Sequence, residues 1–136
     1  MSPRARPPSP VDEAIEAMLA EWKRGMLTFW ALALVAQRPW YGLEISKHIE
    51  RSTQGELTLG VSTIYPLLRR LEARGLVTAR WERTTEGPPR AYYTATPAGR
   101  QVLTRYVHSV LSPDSPVNHA LGEVLRDLAP ALGPSA

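Results

Sequence analysis

The sequence predicts a mainly α-helical chain with one small β-hairpin, and three observations carry that prediction. Apolar residues recur at three- and four-residue spacing through most of the 136 residues. A capping residue followed by proline, the punctuation of a helix start, occurs at Ser9-Pro10 and again at Thr96-Pro97. Between these, residues 76–95 change from helical period to alternation around a Gly/Pro-rich turn.

The first helix is expected to begin after Ser9, with Asp12, Glu13 and Glu16 complementing the positive end of its dipole. Val11, Ile15, Met18, Leu19 and Trp22 form its apolar stripe. Lys23-Arg24-Gly25 either interrupts the helix or is traversed by it, and the sequence leaves open whether residues 10–37 form one helix or two. Met26 to Gln37 is too apolar for anything but a buried helix, and Arg38-Pro39-Trp40 ends it. A second helix opens at Tyr41 or Gly42, with Leu43, Ile45 (or Ser46) and Ile49 inward and Glu44, Lys47, Glu50 and Arg51 outward. Residues 52–60 connect it to a third.

The stretch Gly60 to Val77 supplies that third helix, and Gly75 is its expected stop. With Ser62 or Thr63 as the cap, Pro66 falls in the first turn, where its missing N–H costs little. Ile64, Leu67, Leu68 and Leu71 share one face; Ser62, Tyr65, Pro66 and Arg69 share the other, flanked by Arg70. Leu76–Arg83 and Arg90–Ala95 read as two strands joined by Thr84–Pro89. A helix with Val102, Leu103, Tyr106, Val107, Val110 and Leu111 as its stripe follows, then a last amphipathic helix carrying Leu121, Val124, Leu125 and Leu128. Three helices, a hairpin and further helices is the layout of a winged helix-turn-helix.

Composition narrows the function. The absence of cysteine excludes disulfides, thiolate catalysis and cysteine-bound metal, and His48, His108 and His119 sit in no ligand pattern. No nucleophile–base set, phosphate-cradling glycine loop or paired-acid motif appears, so the chain is expected to be no enzyme and to need no cofactor or metal. The longest apolar run, Met26 to Ala36, is about half a membrane span, so a cytoplasmic protein without membrane contact is expected. Charge is segregated: residues 12–21 hold four acids and no base, whereas residues 69–105 hold eight arginines against three acids. A basic half of this kind suits a polyanion such as double-stranded DNA.

Three blocks, in order and suitably spaced, resemble the PadR family of transcriptional regulators. They are Trp40-Tyr41-Gly42-Leu43-Glu44-Ile45, the run Val61 to Val77, and Gly87 to Gly99 across the hairpin. The Gly-Tyr pair common in that family reads Gly42-Leu43 here, with Tyr41 beside it. The resemblance implies a homodimeric repressor bound to a pseudo-palindromic operator and released by a small-molecule effector. It also implies that the N-terminal helix and the helices behind the wing build the dimer, as in the short, single-domain subgroup. The expected organisation is a disordered leader (1–9), a dimerisation helix (10–24), a winged helix-turn-helix (25–96), C-terminal dimerisation helices (97–130) and a disordered tail (131–136).

The expected DNA-contacting residues are Tyr41 and Lys47, then Ser62, Thr63, Tyr65, Arg69 and Arg70 on the third helix, with Arg83 and Arg90 flanking the wing. Ser62 and Thr63 equally suit simple capping, and Arg70 equally suits a solvated face. The dimer candidates are Ile15, Leu19, Trp22, Leu103, Tyr106, Val107, Val110 and Leu111. Trp22, Trp30, Trp40 and Trp81 are expected in core or interface packing rather than in a ligand pocket. Two other classes fit the same fold: a winged-helix protein-interaction module, and a ligand sensor without specific DNA binding.

Overall fold

The computed structural model describes residues 6–134. Helix α1 (Pro10–Gln37) is continuous, so Lys23-Arg24-Gly25 is traversed and not a break. The Ser9 hydroxyl accepts from the Asp12 N–H at 3.1 Å while the Asp12 carboxylate accepts from the Ser9 N–H at 3.0 Å. These hydrogen bonds with Ser9 hold the Asp12 carboxyl below its ordinary value. Residues 10–26 bury nothing; the first buried residue is Leu27, followed by Ala31, Leu32, Leu34 and Val35. Residues 10–22 are exposed throughout, which at 1.5 Å per residue is about 20 Å of uncovered helix.

Strand β1 (Trp40–Tyr41) leads directly into α2 (Gly42–Ser52). β1 is absent from the sequence reading because two residues are too few to show alternation. It pairs antiparallel with the later strand β3 (Arg90–Ala95), Trp40 opposite Tyr93 and Tyr41 opposite Tyr92, and β2 (Val77–Glu82) lies on the other side of β3. The hairpin is thus part of a three-stranded sheet. The Arg38 guanidinium sits 3.5 Å over the Trp40 ring and His48 meets its edge at 5.1 Å.

In α2 the inward residues are Ile45, Ser46 and Ile49; Leu43, expected inward, is exposed. Ile45 and Ser46, between which the sequence left the choice open, are both buried, and the Ser46 hydroxyl has a partner, donating to the Leu59 carbonyl in the α2–α3 connection. That connection is anchored further by buried Leu57 and Leu59 and by Thr53 Oγ1, which accepts from the Leu57 N–H at 3.0 Å.

Helix α3 (Val61–Ala73) buries Ile64, Leu67, Leu68 and Leu71, as its periodicity requires. Its cap is not Ser62 or Thr63 but Gly60, whose carbonyl accepts from Thr63 and Ile64 without a side-chain cap. Gly60 is extended and follows buried Leu59, so the helix starts two or three residues earlier than the polar residues suggest. Pro66 consequently stands in the second turn, inside the helix, and leaves the carbonyl of exposed Ser62 free of an intrahelical donor. The stop is as expected: Gly75, at φ +74°, donates to Glu72 and Leu76 donates to Leu71, each at 2.9 Å.

Thr96 caps α4 (Pro97–Tyr106), accepting from the Gly99 N–H at 3.1 Å and donating to the Gly75 carbonyl at 2.6 Å. This one hydroxyl ties α4 to the end of α3. The expected continuation of α4 widens into a π-helical turn over Val107–Leu111. A third cap-plus-proline, Ser115-Pro116, opens α5 (Pro116–Leu132), in which no residue is buried. Of the two terminal segments expected to be disordered, residues 1–5 and 135–136 lie outside the described residues, residues 6–9 form no helix or strand, and Ala131 and Leu132 belong to α5. The core gathers the second half of α1, α2, α3 and the inner sheet face. The architecture is the mainly helical winged helix-turn-helix that the element order predicts. No helix among the described residues is long and apolar enough to cross a membrane.

Candidate nucleic-acid interface

Helix α3 and the wing enclose a cleft of about 520 Å³ that brings Tyr41 of β1, Tyr65 and Arg69 of α3 and Arg90 of β3 together from three separate places in the chain. The α3 residues arrive because the leucine face is buried, which turns Ser62, Tyr65 and Arg69, at three- and four-residue spacing, outward. Tyr65 remains exposed while its ring leans across the start of α2. A Cβ on Gly42 would stand 2.7 Å from Tyr65 Cε1, so a glycine is needed there for close approach.

The other wall is set by strand pairing. β1 puts the Tyr41 ring edge-on to Tyr92 at 5.5 Å, and the Arg90 guanidinium lies 4.6 Å over the Tyr41 ring. Arg90 is thereby held by a cation–π contact. At the wing tip the Thr84 hydroxyl donates toward the carbonyls of Glu86, Gly87 and Pro88 at 2.9 to 3.2 Å, closing the turn. Tyr93 forms part of the floor, and burial, followed by the nearby Glu72 and Tyr65, pushes its phenol above the ordinary value while Arg69 opposes the shift.

Among the described residues the ion pairs are Arg38–Glu44, Arg80–Glu82 and His119–Glu123. Arg69, Arg70, Arg83 and Arg90 take part in none of them. Glu72 and Glu86 also line the cleft, so its charge is mixed.

The remaining candidates lie elsewhere. Arg70 faces away from Arg69, sharing a second cleft between α1 and α3 with Arg24 and Arg74. Lys47 lies on the outer face of α2 beside Glu50 and Arg51. Ser62 and Thr63 are exposed in the first turn of α3, and Arg83 is exposed just past the end of β2. No group of three or more His, Asp or Glu side chains positioned to hold a metal occurs among the described residues.

The dimer candidates also divide. Ile15, Leu19, Trp22 and Leu111 are exposed, whereas Leu103 packs on the core of its own chain and Tyr106 stacks on Phe29 at 5.0 Å. Val107 and Val110 are half-buried in the π-helical turn. The reading by sequence did not include the α5 stripe of Leu121, Val124, Leu125 and Leu128 among them, although all four are exposed and their spacing was visible. Trp81 is a further omission: of the core and interface packing expected of it, the core is excluded, because it is 69% exposed at the cleft. Its place on the same strand face as Val77 and Ala79 is the signal that points it there.

Residues 31–105 match the transcriptional regulator PadR-like family. A transcriptional regulator of Mycobacterium tuberculosis is 43% identical over 65 residues, covering 48% of this chain and 53% of that protein. The crystal structure of a PadR family transcriptional regulator from Eggerthella lenta superposes with a TM-score of 0.63 at 28% identity, covering 93% of this chain and 97% of that one. The Bacillus subtilis PadR crystallised with operator DNA has the same fold, with a TM-score of 0.56 at 21% identity over 75% of this chain and 59% of that one. The chain belongs to the PadR-like family of transcriptional regulators.

Proposed function

We propose that the protein is a homodimeric repressor that binds a pseudo-palindromic DNA operator through α3 and the wing and is released by a small-molecule effector. The observation that carries the DNA-binding reading is the cleft, where Arg69 from α3 and Arg90 from the wing flank Tyr65 and neither arginine has an acidic partner among the described residues. An α-helix with its side chains fits the width of a major groove, and the N-terminal residues of a recognition helix reach base edges there. Ser62, Thr63 and Tyr65 are the candidates for base edges; Arg69, Arg90 and, at the flanks, Lys47, Arg70 and Arg83 are the candidates for phosphates.

Dimerisation is supported by two exposed apolar stripes. One runs along the first half of α1 through Val11, Ile15, Met18, Leu19 and Trp22; the other runs along α5. A second copy would cover both and set two recognition helices about one helical turn of DNA apart. The effector follows from the family, and a cell extract that abolishes binding would provide its first sign.

The test is a mobility shift on the promoter DNA beside the protein's own gene, at moderate salt with excess non-specific competitor. A competitor-resistant shift is expected. In Arg69→Ala the slope of log K against log salt should fall by about 0.9, one lost phosphate contact. Unchanged affinity and slope remove Arg69 from the interface, and the absence of any resistant shift leaves an interaction module or a ligand sensor.

A further inference from the structure

Trp81 is the feature that neither the core nor the reading face of α3 absorbs. Along β2 the inward positions are Val77, Ala79 and Trp81. Val77 is buried at 1%, Ala79 packs against the core, and Trp81 is 69% exposed. The third inward residue is left uncovered by the core and lines the open cleft instead. There it shares the lining with Tyr65, Arg69, Arg90 and Pro88-Pro89. An indole held on a strand and left in water is a large apolar surface that awaits a partner.

The geometry of a winged helix identifies that partner, and this step rests on the DNA-binding reading above. With α3 in a major groove and the wing at the adjacent minor groove, the sugar–phosphate strand separating those grooves must pass between helix and wing. That gap is the cleft. We infer that the cleft grips one DNA strand, with Trp81 packed flat on a deoxyribose and Arg69 and Arg90 holding the phosphates on either side. The mixed charge of the lining fits this orientation. Glu72 and Glu86 repel phosphate, while the apolar ring surfaces accept the sugar face. Trp81 therefore sets the depth and register of the protein on the duplex and reads no base.

The experiment measures anisotropy of two fluorescein-labelled duplexes, the promoter DNA beside the gene and a shuffled duplex of the same composition. Trp81→Ala should weaken both by a similar factor, about tenfold, with the salt slope unchanged, and Trp81→Phe should stay within about threefold of wild type. Because Trp81 is exposed, both variants should keep the wild-type circular dichroism melt. The Trp81 contribution to fluorescence, taken as wild type minus Trp81→Phe, should be quenched by iodide in the free protein and protected in the saturated complex. Wild-type affinity of Trp81→Ala for both duplexes overturns the inference, as does a loss confined to the promoter duplex or an indole still open to iodide when DNA is bound. If the wild-type chain binds neither duplex, the DNA-binding reading itself fails; if it binds and Trp81→Ala binds equally well, only the clamp fails.

Discussion

Helices α3 and α5 are both amphipathic, yet α3 buries Ile64, Leu67, Leu68 and Leu71 to 3% exposure or less, while Leu121 and Leu125 of α5 stay 55% and 62% exposed. The same contrast divides α1, whose second half supplies the core and whose first half buries no residue. An apolar stripe thus specifies a face and not the surface that covers it. Around α3 the cover comes from α1, α2 and the sheet of the same chain; along α5 and the start of α1 the stripe is left exposed.

The sharpest test of that contrast makes one substitution in both places. Leu68→Ala should cost about 2–5 kcal/mol of stability in urea unfolding, because it empties a fully enclosed site. Leu125→Ala should cost about 0.5 kcal/mol or less in the dissociated chain. Equal losses would mean that α5 has a place in the monomer core.

Next in size is the assembly itself. Ile15→Glu combined with Leu125→Glu should convert a dimer to a monomer by light scattering and weaken duplex binding about 100-fold, since the second recognition helix is no longer tethered. A monomer that keeps full affinity breaks the proposed architecture. On the core side, Gly42→Ala should displace the Tyr65 ring, costing about 1 kcal/mol and weakening DNA binding, and Tyr65→Leu in the same chain should recover the stability. Additive losses would show that the two residues do not meet.

The smallest effect is alkaline. The Tyr93 phenol is raised above 10.0, so the folded state keeps its proton more tightly than the unfolded state. Its contribution is complete below about pH 10 and is lost as pH climbs through the folded value. Urea unfolding at about pH 8 and about pH 11 should therefore show a smaller alkaline loss in Tyr93→Phe than in wild type, and an identical loss would assign the effect to other groups.

Much of this was legible in residue order. The Ser9 and Thr96 caps, the Gly75 stop, the leucine face of α3 and the two strands of the hairpin are local devices, and each stands where its neighbours predict. The errors share a cause. Gly60, and not Ser62 or Thr63, is the cap where the chain arrives from buried Leu59. Leu43 stands outside while Ser46 is buried, its hydroxyl donating to the Leu59 carbonyl 13 residues further on. β1 exists only because β3 offers it an edge.

The site divides in the same way. Arg69 and Arg70 are adjacent in sequence and equivalent in chemistry, and the sequence alone determined that Arg69 stands on the face opposite the leucines with Arg70 at its flank. Only the tertiary structure decided that Arg69 lines the cleft under the wing with Arg90 while Arg70 lines a second cleft with Arg24 of α1. The physical reason is the range of each effect. Period, caps and turns act over a few residues and are written in the chain, whereas the partner of a side chain depends on how helices and strands distant in sequence come to pack.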